Sequence, residues 1–154
     1  IRKAFKMKLT NNLSFDNLIK RYESEYGQTY DDFQIDELRI GYERGIDISQ
    51  YANTDYSSYQ MEEIRLGLEY DLDVSVYATT QFHWSQMQEI RLGLMSKVDV
   101  SAYANSEFSD DQMEEIRRGL ESGIDVSKYS FPYLASPVMR QKRERLEHEQ
   151  MLSA

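Results

Sequence analysis

The sequence has no cysteine, two prolines, one tryptophan and two histidines among its 154 residues. The absence of cysteine excludes disulfides, thiolate metal sites and a cysteine nucleophile. No apolar run approaches the roughly 18 residues that span a bilayer, and no signal-peptide pattern is present. His83 and His148 show no recurring acidic spacing of the kind that indicates a zinc pair. We therefore expect no metal and no cofactor.

The sequence begins with Ile1 rather than Met, so we expect a fragment of a longer protein. Because no membrane span is recognised, the default expectation is a cytoplasmic location. Secretion after removal of a signal stays an open alternative.

Basic side chains are scarce in the middle of the chain. Residues 30–133 carry eight basic and 21 acidic side chains, whereas residues 1–29 carry six basic and three acidic. Direct binding of nucleic acid by the middle segment is disfavoured, since affinity for phosphates comes from clustered Lys and Arg. The acidity fits either solubility or imitation of a nucleic acid.

What the chain has in abundance is repetition, with the same 26-residue pattern written four times. The copies begin at Tyr30, Tyr56, Phe82 and Phe108. Such a period is typical of stacked supersecondary units, which usually bind other molecules and seldom catalyse reactions. Seven columns recur in every copy: Gln34/60/86/112, Glu37/63/89/115, Arg39/65/91/117, Gly41/67/93/119, Asp47/73/99/125, Ser49/75/101/127 and Tyr51/77/103/129.

The fourth copy shows how one repeat is expected to fold. Ser109 and Gln112 have the spacing of a capping box, which predicts a helix start. Gly123 stands where a left-handed residue ends the helix, and Asp125 can cap a second, shorter helical turn that points Tyr129 inward. The glycine column lies inside the main helix, where glycine costs about 1 kcal/mol relative to alanine. Close approach of a neighbouring element is the expected reason.

The predicted fold is therefore all-α, a solenoid of four helix–turn–short-helix repeats with flanking capping helices. We assign residues 1–29 to a basic segment and capping helix, 30–133 to the repeats, and 134–154 to a charged C-terminal helix. Arg118 replaces an apolar residue of the other copies, which fits a last copy with no fifth repeat to cover it. The C-terminal helix then either caps the last repeat or leads into a further domain.

The third copy departs from the pattern on one face of its helix. Trp84, Gln88, Arg91 and Met95 follow helical spacing, and three of them stand where the other copies are polar or acidic. Exposed aromatic and Met residues among polar neighbours often mark contact surfaces. We predict a partner-binding face here. The alternative is that Trp84 folds back over a loop.

A second candidate site is the recurring arginine. Stacked repeats would align the column about 10 Å apart, and such a ladder could grip a carboxylate-rich peptide. The alternative is that each arginine pairs with acids of its own or a neighbouring repeat. The column consists of Arg39, Arg65, Arg91 and Arg117.

The motif Gln-Met-Glu-Glu-Ile-Arg-x-Gly-Leu-Glu-x-Gly-x-Asp-Val-Ser-x-Tyr-Ala is nearly complete at residues 112–129. It resembles a tandem repeat of uncharacterised proteins of gut Firmicutes, several of them carried on mobile elements, and the resemblance covers residues 30–133. It implies mobile-element biology but no particular activity or site.

The functional expectation is a non-catalytic module for protein–protein interaction, part of a larger protein, with a protein partner. The alternative is an acidic nucleic-acid mimic that inhibits a host DNA-binding or defence protein. We found no constellation of catalytic residues, so we do not expect an enzyme.

Overall fold

A computed structural model describes residues 14–154, which form two compact units, the first ending at Glu69 and the second running from Tyr70 to Ala154. Every regular element in this range is helical, which confirms the all-α prediction. The basic segment at residues 1–10 lies outside the described residues. None of the helices in the described part is long and apolar enough to cross a membrane. The α-helices are α1 (Phe15–Tyr26), α2 (Asp32–Glu43), α3 (Ser58–Glu69), α4 (Trp84–Met95), α5 (Asp110–Glu121) and α6 (Ser136–Leu152).

Helix α1 begins at a serine cap and ends at a glycine. The Ser14 hydroxyl accepts a hydrogen bond from the Asn17 backbone amide at 3.4 Å, and Gly27 ends the helix in the left-handed region. Leu18, Ile19 and Tyr22 are buried, whereas Tyr26 is 38% exposed. The buried face packs on α2 of the same unit.

The main helices of the repeats start with capping boxes. In α5, the Ser109 hydroxyl accepts from the Gln112 backbone amide at 3.2 Å. The Gln112 side-chain oxygen Oε1 in turn accepts from the Ser109 backbone amide at 2.8 Å. The third copy has His83 at the cap, where the ring nitrogen accepts from the Ser85 amide at a longer 3.4 Å. The predicted start therefore survives a weaker capping residue.

Each repeat also contains the predicted short second helix, a single 3₁₀ turn capped by aspartate. The Asp125 carboxylate accepts from the Ser127 amide at 3.1 Å, and the turn is closed by the fully buried Tyr129. The four turns are Ile48–Gln50, Val74–Val76, Val100–Ala102 and Val126–Lys128.

The tyrosine that closes the turn reaches the glycine inside the main helix. In the third copy, the Tyr103 hydroxyl donates to the Glu89 carbonyl at 2.8 Å, and a Cβ on Gly93 would overlap that hydroxyl. This glycine–tyrosine contact explains the recurring glycine, as expected from the sequence. It is also found in the first copy (Gly41, Tyr51, Glu37) and in the fourth (Gly119, Tyr129, Glu115).

Consecutive repeat helices pack side by side within each unit, α2 on α3 in the first, and α4 on α5 and α5 on α6 in the second. Helix α6 occupies the place of a fifth repeat helix, which the sequence pattern did not predict. Four of its residues keep the 26-residue register with α5, and Met139 is fully buried like Met113. The pairs are Met113 and Met139, Arg117 and Arg143, Leu120 and Leu146, and Glu121 and Glu147.

The glycine–tyrosine contact predicts a coupled pair of substitutions. Gly93→Ala should lower the free energy of unfolding by about 2 kcal/mol, because overpacking outweighs the better helix propensity of alanine. Tyr103→Phe removes the overlapping oxygen, so the double variant should lose clearly less than the sum of the two single variants. Urea denaturation of the four proteins measures this coupling, and strict additivity would refute the contact.

The turn after each main helix predicts a stabilising change. Lys97 has φ of 59° at the position where Gly45 and Gly123 have φ of 73° and 72°. A non-glycine residue pays about 1–2 kcal/mol in this region. Lys97→Gly removes this strain and should therefore raise the free energy of unfolding. The gain is limited to about 1 kcal/mol, because glycine loses more chain entropy on folding. Thermal unfolding beside Lys128→Gly, outside this turn position, supplies the control; an unchanged or lower melting temperature contradicts the expectation.

Candidate functional site

In the first, third and fourth copies, the recurring glutamine joins its repeat to the loop that precedes the next helix. The Gln34 side-chain amide donates to the Thr54 carbonyl at 3.1 Å and to the Tyr56 carbonyl at 2.6 Å. One side chain thus completes the capping box of its own helix and satisfies two loop carbonyls. The same pair of bonds runs from Gln86 to Ser106 and Phe108, and from Gln112 to Pro132 and Leu134.

The recurring glutamate and arginine join neighbouring helices. The Arg65 Nε lies 2.8 Å from Glu37 of the preceding repeat, and its Nη1 lies 2.6 Å from Glu69 on its own helix. We call this arrangement the Glu–Arg–Glu bridge. It recurs as Glu89–Arg117–Glu121 and as Glu115–Arg143–Glu147.

The structure places the four predicted ladder arginines in different surroundings. Arg65 and Arg117 form Glu–Arg–Glu bridges, the alternative reading of the column, and their side chains are largely buried. Arg39 lies over the Phe15 ring, 4.4 Å from its centroid, a cation–π contact. Arg91 is 8% exposed, and its Nη1 lies 3.4 Å from the Met95 sulfur. These guanidinium groups are held by the fold, and that reduces what they could offer to an acidic peptide.

Glu115 is the most buried of the bridging carboxylates. It is 1% exposed, and it accepts from Arg143 at 2.8 Å and from Arg140 at 2.9 Å. Burial raises the pKa of this carboxyl, but the hydrogen bonds from the two arginines outweigh that effect and leave the pKa below its ordinary value. Glu89 accepts from a single arginine, Arg117, and here burial prevails and raises the pKa. The balance between burial and the hydrogen bonds that each carboxylate accepts therefore decides the direction of the shift.

The predicted partner-binding face lies along α4. Trp84 and Gln88 are partly exposed, Met95 is 39% exposed, and Arg91 is buried. The Trp84 ring also contacts the His83 ring, with centroids 5.4 Å apart. Trp84 and Met95 thus present apolar surface at opposite ends of this helix. The residues at the same positions in the other copies are polar or acidic.

A second surface, in the first unit, was missed from the sequence. Phe33 on α2 is 71% exposed and Tyr59 on α3 is 60% exposed. Between the two helices lies a groove of about 410 Å³. The missed signal was a column of the alignment, which reads Phe33, Tyr59, Ser85 and Asp111. It changes from aromatic in the first two copies to polar in the last two.

No group of three or more His, Cys, Asp or Glu side chains able to hold a metal ion is present among residues 14–154. Comparison of the chain with models of protein families, with curated proteins and with solved structures gives no match. The resemblance to repeats of Firmicutes mobile-element proteins stays a prediction.

The geometry of Glu115 predicts a pH-dependent loss of stability. Glu115→Gln should lower the free energy of unfolding at pH 7 by about 2 kcal/mol, because two buried charge-assisted hydrogen bonds are weakened. The pKa values of Glu69, Glu115, Glu121 and Glu147 all lie below the unfolded value of 4.5, so the unfolded chain takes up protons first as the pH falls. Their contribution is present at neutral pH and is lost as the pH falls below 4.5 through the folded pKa values. Glu89 acts in the opposite sense and is outnumbered.

Urea denaturation between pH 7 and pH 3 measures both effects. Wild type should lose stability towards pH 3, and the gap between wild type and Glu115→Gln should narrow. Glu114→Gln is the matched control, because Glu114 is adjacent, 40% exposed and only 3.5 Å from a single arginine, Arg118. A constant gap over the whole range, or equal losses in the two variants, would contradict the assignment.

Proposed function

We propose that this chain is a non-catalytic helical-repeat module that binds another protein. The observation that carries the proposal is how the recurring polar residues are used. The glutamine, glutamate, arginine and aspartate columns supply the capping boxes, the interhelical bonds and the 3₁₀ caps. Positions at which the copies differ are therefore the ones that can distinguish one partner from another.

The α4 face is the first such departure. Trp84 combines a large apolar ring with partial exposure, and tryptophan is enriched among residues that dominate binding energy. Gln88 and Met95 extend the face along the helix, and the buried Arg91 contacts the Met95 sulfur. We propose Trp84 as the centre of the contact.

Imitation of a nucleic acid is the second candidate, favoured by the excess of acidic residues between 30 and 133. A phosphate mimic needs carboxylates that project freely at regular intervals. Glu37, Glu69, Glu89, Glu115 and Glu121 instead accept hydrogen bonds from arginine within the chain. This use of the acidic columns supports protein binding over mimicry.

Affinity capture from nuclease-treated host lysate tests the proposal, with wild type and Trp84→Ser as baits. Serine is the residue of the second copy at this position, Ser58, so the variant should fold. We expect at least one protein whose recovery falls about tenfold on the variant. The measurement is quantitative mass spectrometry, with circular dichroism to verify folding.

Two results would count against the proposal. DNA-binding proteins that remain on Trp84→Ser but are lost on the double variant Asp111→Lys, Glu114→Lys would establish mimicry. Both carboxylates lie outside the Glu–Arg–Glu bridges and outside the groove between α2 and α3, so their reversal tests charge without removing interhelical contacts. An empty list from both baits would leave the repeats as a spacer.

A further inference from the structure

We propose that the groove between α2 and α3 binds a basic peptide segment of a partner protein, one that also carries apolar side chains. The inference rests on the proposed function and narrows it to a second surface and a class of partner. The groove is formed within the first unit alone, by Phe33, Asp36 and Ile40 on α2 and by Tyr59 and Glu62 on α3.

The groove joins apolar surface with negative charge. Ile40 contributes aliphatic surface, and the rings of Phe33 and Tyr59 are 71% and 60% exposed. The Asp36 and Glu62 carboxylates lie in the same groove. Aromatic rings set among acidic groups suit an ammonium or guanidinium ion, which they attract through the π face and through charge.

The aromatic pair is not required by the repeat fold. Ser85 and Asp111 occupy the same column in the third and fourth copies, and these copies form the same helix with the same caps. Large rings that are exposed beside acidic side chains, at positions where the same fold also accepts serine and aspartate, are typical of a contact surface.

The charge of the surrounding segment identifies the occupant. Residues 30–69 carry ten acidic and three basic side chains, and one of those three, Arg65, is bridged to Glu37 and Glu69. A phosphate backbone or an anionic membrane would be repelled, whereas a segment rich in Lys and Arg would be attracted. Its apolar side chains would cover the rings and Ile40, and its cations would face Asp36 and Glu62.

Selection from a displayed library of random 16-residue peptides tests the occupant, with the whole chain immobilised. We expect enriched peptides to combine several Lys or Arg residues with Leu, Ile, Phe or Trp. The strongest peptide is then synthesised with a fluorophore, and its dissociation constant is measured by anisotropy.

Two double variants separate the rings from the charges. The double variant Phe33→Ser, Tyr59→Ser places the serine of the third copy at both positions and should weaken binding at least tenfold. Asp36→Gln with Glu62→Gln likewise carries the third copy's Gln88, and should weaken binding several-fold and flatten its dependence on salt. Tyr70→Ser is the matched control: Tyr70 is 58% exposed, does not line the groove and is serine in the last two copies. It should leave binding unchanged.

The inference would be overturned if no peptide or only acidic peptides were enriched. It would also be overturned if wild type and the double variant Phe33→Ser, Tyr59→Ser bound the peptide equally, or if the Tyr70→Ser control lost as much affinity as that double variant. A dimer that light scattering detects in wild type and not in Phe33→Ser with Tyr59→Ser would also overturn it, and would assign the groove to a second copy of the chain. Loss of a lysate partner on Trp84→Ser alone, with no basic peptide selected, would refute the groove and leave the proposed function standing.

Discussion

A tyrosine hydroxyl occupies the space where a side chain would leave the main helix, and the shape of each repeat follows from that contact. A buried phenol needs an acceptor, and the carbonyl four residues before the glycine is reachable because the glycine has no Cβ. Burial raises the pKa of Tyr103 and of Tyr129, so both remain protonated donors. The contact holds the 3₁₀ turn against its helix. The chain that leaves this turn leads to the next capping box.

Within each unit, the contacts between neighbouring repeats use the same pairs of residues. A glutamine donates forward to two loop carbonyls, and a glutamate accepts from an arginine 28 residues later. For the fourth copy these contacts are made by the Leu134 carbonyl, in the loop before α6, and by Arg143 on α6. Helix α6 does not offer the same groups onward, because Gln141 and Arg145 stand where α5 has Glu115 and Gly119. Helix α6 therefore lacks the recurring glutamate and glycine of α5.

Local signals in the sequence were enough to predict the helix starts, the left-handed stops, the 3₁₀ caps and a reason for the helical glycine. The partners of Arg65 and Arg117 in the preceding repeat were not specified, because the sequence does not show which faces of successive helices meet. Helix α6 was missed as a repeat since it keeps only four register positions, and its capping residue is Ala135. The groove was missed because the exposure of Phe33 and Tyr59 depends on the packing of α2 on α3, which the pattern of one copy does not contain.

Repetition separates structure from recognition in this chain. A residue that recurs in every copy is explained first by the contacts that recur with it, as the buried glutamines and glutamates show. Specific recognition then has to come from positions where copies differ, because identical copies would offer a partner the same surface several times over. Phe33 and Tyr59 in the first unit and Trp84 and Met95 in the second are departures of this kind, large, apolar and at least partly exposed. A scaffold built from one repeated sequence motif can in this way carry distinct surfaces without changing its fold.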